Sequence, residues 1–161
     1  MVKMDEDVRK ITCCFSGHRD IPECDRRKIR LSLEKTIDSL IDAGYVYFGC
    51  GGAVGFDTMA AEAVIKAKKK NADIKLILVI PCENQSRYWE PEQIEKYEKI
   101  MKSADKVKVL SKTYYNGCMQ ARNKHLVDHS SACVTYLRRD SGGTFFTANY
   151  AIRKKLKMIN I

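Results

Sequence analysis

The chain has 161 residues, 45% of them hydrophobic and 30% charged, with a formal net charge of +9 at pH 7. That is enough chain for one domain with one substantial core, and too balanced a composition for a disordered segment. No apolar run approaches the roughly 18 residues that span a bilayer, and the opening MVKMDEDVRK lacks the apolar centre of a signal peptide, so the sequence points to a cytoplasmic protein.

Residues 1–9 read as a flexible lead and residues 10–161 as the folded domain. Short apolar runs rich in β-branched residues stand at residues 11–16 (ITCCFS), 45–49 (YVYFG), 74–81 (IKLILVIP), 106–110 (KVKVL) and 131–137 (SACVTYL). Each reads as a strand buried on both faces. After the first run, Ile29, Leu33, Ile37, Leu40 and Ile41 recur at spacings suited to one helix face; after the second, Phe56, Met59, Ala60, Ala63, Val64 and Ala67 do the same. Further helices are expected over residues 91–102, 118–128 and 145–155, with KMINI (residues 157–161) as a last strand. The alternation predicts an α/β fold, a mostly parallel sheet with helices on both faces. No internal repeat, low-complexity tract or Pro/Gly/Ser-rich linker marks a second domain.

Seven cysteines (Cys13, Cys14, Cys24, Cys50, Cys82, Cys118 and Cys133) contain no C-x-x-C pair. An odd number in a chain of this length reads as free thiols in a reducing compartment. Cys118, His125 and His129 share one side of a predicted helix, but Cys118 and His125 are nearly two turns apart, roughly 10 Å. That is too far to share one tetrahedral zinc. No metal site and no cofactor is assigned.

In a sheet of this kind ligands collect at the carboxyl ends of the strands, and the unusual residues lie there. SGHRD (residues 16–20) follows the first strand, GCGGAVGFD (49–57) the second, PCENQSRYW (81–89) the third and RRDSGGT (138–144) the fifth. The candidate ligand-binding residues are Ser16, Gly17, His18 and Arg19; Gly51, Gly52, Gly55, Asp57 and Glu62; Arg122; and Ser141, Gly142, Gly143 and Thr144. Glycines let the backbone approach an anion, and a helix start adds free N–H groups and roughly half a positive charge. The hydroxyls would donate, Arg19 and Arg122 would neutralise charge, and Asp57 or Glu62 would accept from a ribose hydroxyl. Neither G-x-G-x-x-G nor the P-loop spacing is present. Plainer roles stay open: Asp57 as an acidic helix start, Glu62 as a solvated position, His18 as a structural hydrogen bonder.

The lysine clusters KAKKK and RKKLK end predicted helices, where cations complement the dipole, whereas Arg19, Arg87, Arg138 and Arg139 follow strand ends. Arginine's planar fork suits phosphate. Tyr88 and Trp89, and also Tyr114 and Tyr115, offer faces on which a base stacks; Trp89 reads equally as a core anchor.

Three motifs in order, FSGHR, GGAVGFDTMAAEAV and SGGTFFTANYA, resemble the SLOG superfamily of Smf/DprA and Lonely Guy proteins, closest to its YpsA-like branch, over about residues 11–152. The resemblance implies a Rossmann-like domain that binds nucleotides, nucleotide-derived signals or nucleic acid, with the two glycine-bearing motifs at the ends of the binding face. Lonely Guy phosphoribohydrolases carry a signature P-G-G-x-G-T-x-x-E that ends in a carboxylate. Overlaid on SGGTFFTAN, it puts Asn149 at that position, and an amide is no general acid or base near neutral pH. The resemblance therefore implies a sensor or regulatory module rather than a hydrolase, unless Asp57 or Glu62 has taken the role. A nucleotide or nucleotide-derived small molecule is the expected partner; nucleic acid and a second copy of the chain are left open, and no membrane partner is expected.

Overall fold

The computed structural model describes residues 2–161. Helix α1 (Val2–Lys10) forms where the sequence leaves a flexible lead; Met1 of that lead lies outside the described residues. The helix stops against the first strand, where Thr12 Oγ1 donates to the Val8 carbonyl at 2.6 Å. From there strand and helix alternate as the hydrophobic periods predict: β1 (Thr12–Gly17), α2 (Arg26–Asp42), β2 (Tyr47–Cys50), α3 (Phe56–Lys70), β3 (Lys75–Ile80), α4 (Pro91–Ser103), β4 (Lys106–Val109), α5 (Cys118–Asp128), β5 (Ala132–Tyr136), α6 (Gly143–Arg153) and β6 (Lys157–Asn160).

The strands make one sheet in the order β4-β3-β2-β1-β5-β6, and every pairing is parallel. This is a single Rossmann-like α/β domain. The expectation that every strand is buried on both faces holds inside the sheet and fails at its edges, because β4 and β6 have a neighbour on one side only: Lys106, Lys108 and Val109 are exposed.

The larger core lies against α2, α3 and α4. Ile29, Leu33, Ile37 and Leu40 of α2 are buried at helical spacing, and Phe56 of α3 packs on Phe15 of β1 at 6.5 Å between ring centres. A fully buried leucine such as Leu33 contributes roughly 1.5–3 kcal/mol. On the opposite face Leu126, Val127, Ala151 and Leu156 cover Cys14, Val79 and Cys133. All seven cysteines are free, and only Cys24 is exposed. Burial pushes the Cys13 and Cys50 thiols up, so they serve as small apolar core residues.

The sheet is built outward from β1. Strands β2 to β4 are added on one side of it and β5 and β6 on the other. The crevice at the carboxyl ends of β1 and β5 is therefore the switch point at which such sheets take ligands.

Candidate functional site

A cavity of about 380 Å³ opens at that switch point. Ser16, Gly17, His18 and Arg19 line it from the loop after β1, Asp57 from the first turn of α3, and Arg122 from α5. Ser141, Gly142, Gly143 and Thr144 line it from the start of α6. The fold thus brings together residues from four separate stretches of sequence. Its size falls within the range of small-molecule sites, roughly 300–1,000 Å³.

Four candidates are not on its lining, and each has a physical reason. The Gly51 carbonyl accepts a hydrogen bond from Arg122 Nη1, and a Cβ on Gly51 would run into that guanidinium. Gly52 (φ +71°) turns its empty face away from the cavity, where a Cβ would lie 2.9 Å from Ile80 Cδ1. Gly55 (φ +80°, ψ −123°) lies against the Arg19 backbone. These glycines shape the wall behind the cavity rather than admitting an anion to it. Glu62 is exposed in a separate groove with Arg26 and Arg30.

The sequence reading missed Asp20, Ala53, Met119, Asn123 and Arg139 as lining residues. Asp20 and Arg139 pair at 2.8 Å across the mouth, joining the loops after β1 and β5. Asp20 closes the SGHRD loop and had position as its signal, whereas Arg139 opens the RRDSGGT loop and was marked as a strand-end arginine without being assigned to the site. Met119 and Asn123 flank Arg122 on the first two turns of α5.

Arg122 is the most constrained cation. It is 4% exposed, its Nη1 donates to the Gly51 carbonyl and at 3.5 Å to Gln85 Oε1, and its Nε donates to Asn123 Oδ1 at 2.7 Å. Its Nη2 has only the Met119 thioether at 3.8 Å, a weak acceptor. Asp57, 8% exposed, accepts the Ala53 N–H at 3.3 Å through Oδ2. Burial raises its carboxyl above the usual range, against the opposing pull of Arg122. A buried donor and a buried acceptor thus share one wall, which suits a ligand that offers both an anion and a hydroxyl.

His18 is held by its neighbours. Its Nε2 accepts the Arg138 N–H at 2.9 Å, which leaves the ring proton on Nδ1, and burial with the nearby Arg139 charge keeps the ring neutral. Its carbonyl accepts the Phe56 N–H at 3.1 Å, tying the loop after β1 to the start of α3. Thr144 and Gly143 open α6, where the first-turn N–H groups have no intrahelical acceptor and carry the positive end of the dipole. Asn149 does not line the cavity; its Nδ2 donates to the Phe145 carbonyl of its own helix at 3.0 Å.

Among the aromatic candidates, Trp89 turns inward, edge-on to Tyr97 at 5.1 Å, whereas Tyr88 is exposed. His125 and His129 stack at 4.1 Å where α5 ends, opposite Cys118, with His129 capping the helix. No helix among the described residues is long and apolar enough to cross a membrane.

A family model described as the YspA SLOG family matches residues 20–159. The UPF0398 protein BH1768 of Halalkalibacterium halodurans is 32% identical over 118 residues, covering 72% of this chain and 62% of that protein. This chain therefore spans less than two thirds of that relative's length. The uncharacterized SPbeta prophage-derived protein YoqJ of Bacillus subtilis is 33% identical over 137 residues, covering 77% of this chain and 80% of YoqJ. Among solved structures, DNA processing protein A of Helicobacter pylori, described by its single-stranded DNA binding mode, superposes with a TM-score of 0.65 at 16% identity over 98% of this chain and 67% of that one. At that identity the likeness shows the fold.

Proposed function

The chain belongs to the YspA SLOG family, and from that premise we propose that its cavity binds a phosphate-bearing nucleotide or nucleotide-derived ligand, as a sensor or regulatory module of the cytoplasm. The observation that carries the reading is the buried Arg122 of the cavity lining, three of whose contacts hold it in place while Nη2 has only the weak Met119 thioether as acceptor. A guanidinium fixed in this way has lost its side-chain freedom before the ligand arrives, so its hydrogen bond to a phosphate oxygen comes at low entropic cost. The opening turn of α6, with Thr144 and the hydroxyl of Ser141, is the second anion contact; Arg19 closes the mouth. Asp57 accepts from a ribose hydroxyl, and Ser16 and His18 Nδ1–H donate beside it.

The hydrolase alternative draws no support from Asn149, which is spent on its own helix. Asp57 is the remaining carboxylate free of an ion pair on the lining, since Asp20 is held by Arg139.

The test is a thermal-shift panel of nucleotides followed by calorimetry on Arg19→Ala and Thr144→Val. A hydrogen bond to a charged group is worth roughly 1.5–3 kcal/mol, so each variant should lose about 10- to 100-fold in affinity at an unchanged melting temperature. Absence of any stabilising nucleotide, or full affinity in both variants, refutes the reading.

A further inference from the structure

The carboxyl edge of the sheet carries a second chemical feature, outside the cavity. Tyr88 is 84% exposed and Tyr114 51% exposed, on the loops that follow β3 and β4. The Arg87 guanidinium lies over both rings, 4.7 Å from the centre of Tyr88 and 5.9 Å from that of Tyr114. One cation thereby links two aromatic faces across two loops while the rings stay open to solvent.

These loops are not slack. The Glu83 N–H donates to the Ser111 carbonyl at 3.2 Å, which ties one loop to the other. Trp89, next to Tyr88, is anchored on Tyr97. Gln85 is buried between the cavity and this loop: its Nε2 donates to the Tyr97 hydroxyl at 3.3 Å, and its Oε1 accepts from Arg122 Nη1. The second loop runs into α5 through the Cys118 N–H, which donates to the Tyr115 carbonyl at 3.1 Å, one residue before Met119 of the cavity. The two loops that carry the aromatic pair are therefore tied to the wall of the cavity.

We propose that the Tyr88–Arg87–Tyr114 platform stacks a second nucleobase, so that the ligand of the cavity is one with two bases joined through phosphate. This rests on the reading that the cavity holds a nucleotide. The separation supports it. A phosphate at the start of α6 follows β5, and the platform follows β3 and β4, so three to four strand spacings lie between them, roughly 17 Å at about 4.8 Å each. A mononucleotide anchored by its phosphate at α6 falls short of that distance; a second nucleotide unit covers it. An aromatic face beside a guanidinium suits that unit, because every base has a π-face and its phosphate has a cation at hand.

Calorimetry with AMP and with the dinucleotide pApA, on the wild type and on Tyr88→Ala/Tyr114→Ala, tests the proposal. Both tyrosines are exposed, so the double variant keeps the fold, and circular dichroism verifies this. Wild type should bind pApA at least ten times more tightly than AMP, and the double variant should lose roughly 5- to 100-fold for pApA and nothing for AMP. Equal affinity for AMP and pApA in the wild type, or an unchanged pApA advantage in the double variant, overturns the platform and leaves the mononucleotide reading intact. Binding of neither probe overturns the platform, and both readings fail if in addition no nucleotide of the panel stabilises the protein. A labelled oligodeoxyadenylate strand separates the two sources of this chemistry. Affinity no better than that of pApA, with a shallow salt slope, identifies a dinucleotide. Tighter binding, with a slope of several units at about −0.7 per phosphate neutralised, identifies a strand.

Discussion

Replacing Gly55 with alanine tests whether the glycine-rich turn is a wall element whose geometry sets the mouth of the cavity. Its φ of +80° and ψ of −123° lie in a basin that residues with a Cβ avoid, at a cost of about 1–3 kcal/mol. The added methyl would also meet the carbonyl, carbonyl carbon and Cα of Arg19. These are backbone atoms, which cannot swing aside as a side chain would. Moving them strains the neighbouring bond from the Phe56 N–H to the His18 carbonyl, 3.1 Å long, worth about 0.5–1.5 kcal/mol. The combined loss is roughly 2–4 kcal/mol, or a fall in melting temperature of about 5–15 °C for a domain of this size. Two other glycines separate strain from collision. Gly44 has φ +101° with nothing within 4 Å of its would-be Cβ, so Gly44→Ala reads strain alone. Gly143 has ordinary φ and open space, so Gly143→Ala should be neutral or gain about 0.4–1 kcal/mol. Urea unfolding of the three variants by circular dichroism gives the ranking. Gly55→Ala proving no less stable than Gly44→Ala would refute the reasoning.

Three further outcomes follow from the buried and partly buried titratable groups and from Asn149. Because burial holds the Asp57 carboxyl above its ordinary 3.8, the native state keeps a proton that the unfolded state has lost, so wild-type stability falls as pH rises from about 4 through the native value. Asp57→Asn should lack this loss; parallel curves for the two proteins count against it. Burial, His129 and Lys108 push His125 down to about 4 from 6.5, so stability is lost as pH falls from about 6.5 to 4. The full shift corresponds to about 3.4 kcal/mol, which partial exposure and screening reduce to roughly 1–2. His125→Gln should flatten that limb in urea titrations, and an unchanged limb contradicts it. Nucleoside monophosphates should release no free base above a buffer blank; chromatographic detection of base, abolished by Asp57→Asn, would establish a hydrolase instead.

Much of this architecture depends on near neighbours in the chain and was legible there. Strand runs and helix periods located the elements from β1 to β6, and two of the arginines at strand ends, Arg19 and Arg139, stand on the side where the cavity opens. Helix α1 was not legible, because its short charged sequence carries Val2, Met4 and Val8 as its apolar residues and its end is held by distant groups, such as the Ser130 carbonyl that accepts from Arg9 at 3.4 Å. The glycines divide most sharply. Their spacing in residues 51–55 announces an unusual backbone, and positive φ at Gly52 and Gly55 agrees. Which way each empty face points is not a local property. Gly51 faces a guanidinium 71 residues further along the chain, and Gly52 faces Ile80 and Gln85. The cavity itself opens where the connections leaving β1 and β5 part to opposite faces of the sheet, at strands that neighbour each other although they are far apart in sequence. Periodicity and helix termini follow from residues within a few positions, whereas the occupant of a glycine's free space is chosen by packing between elements that only the closed sheet brings together.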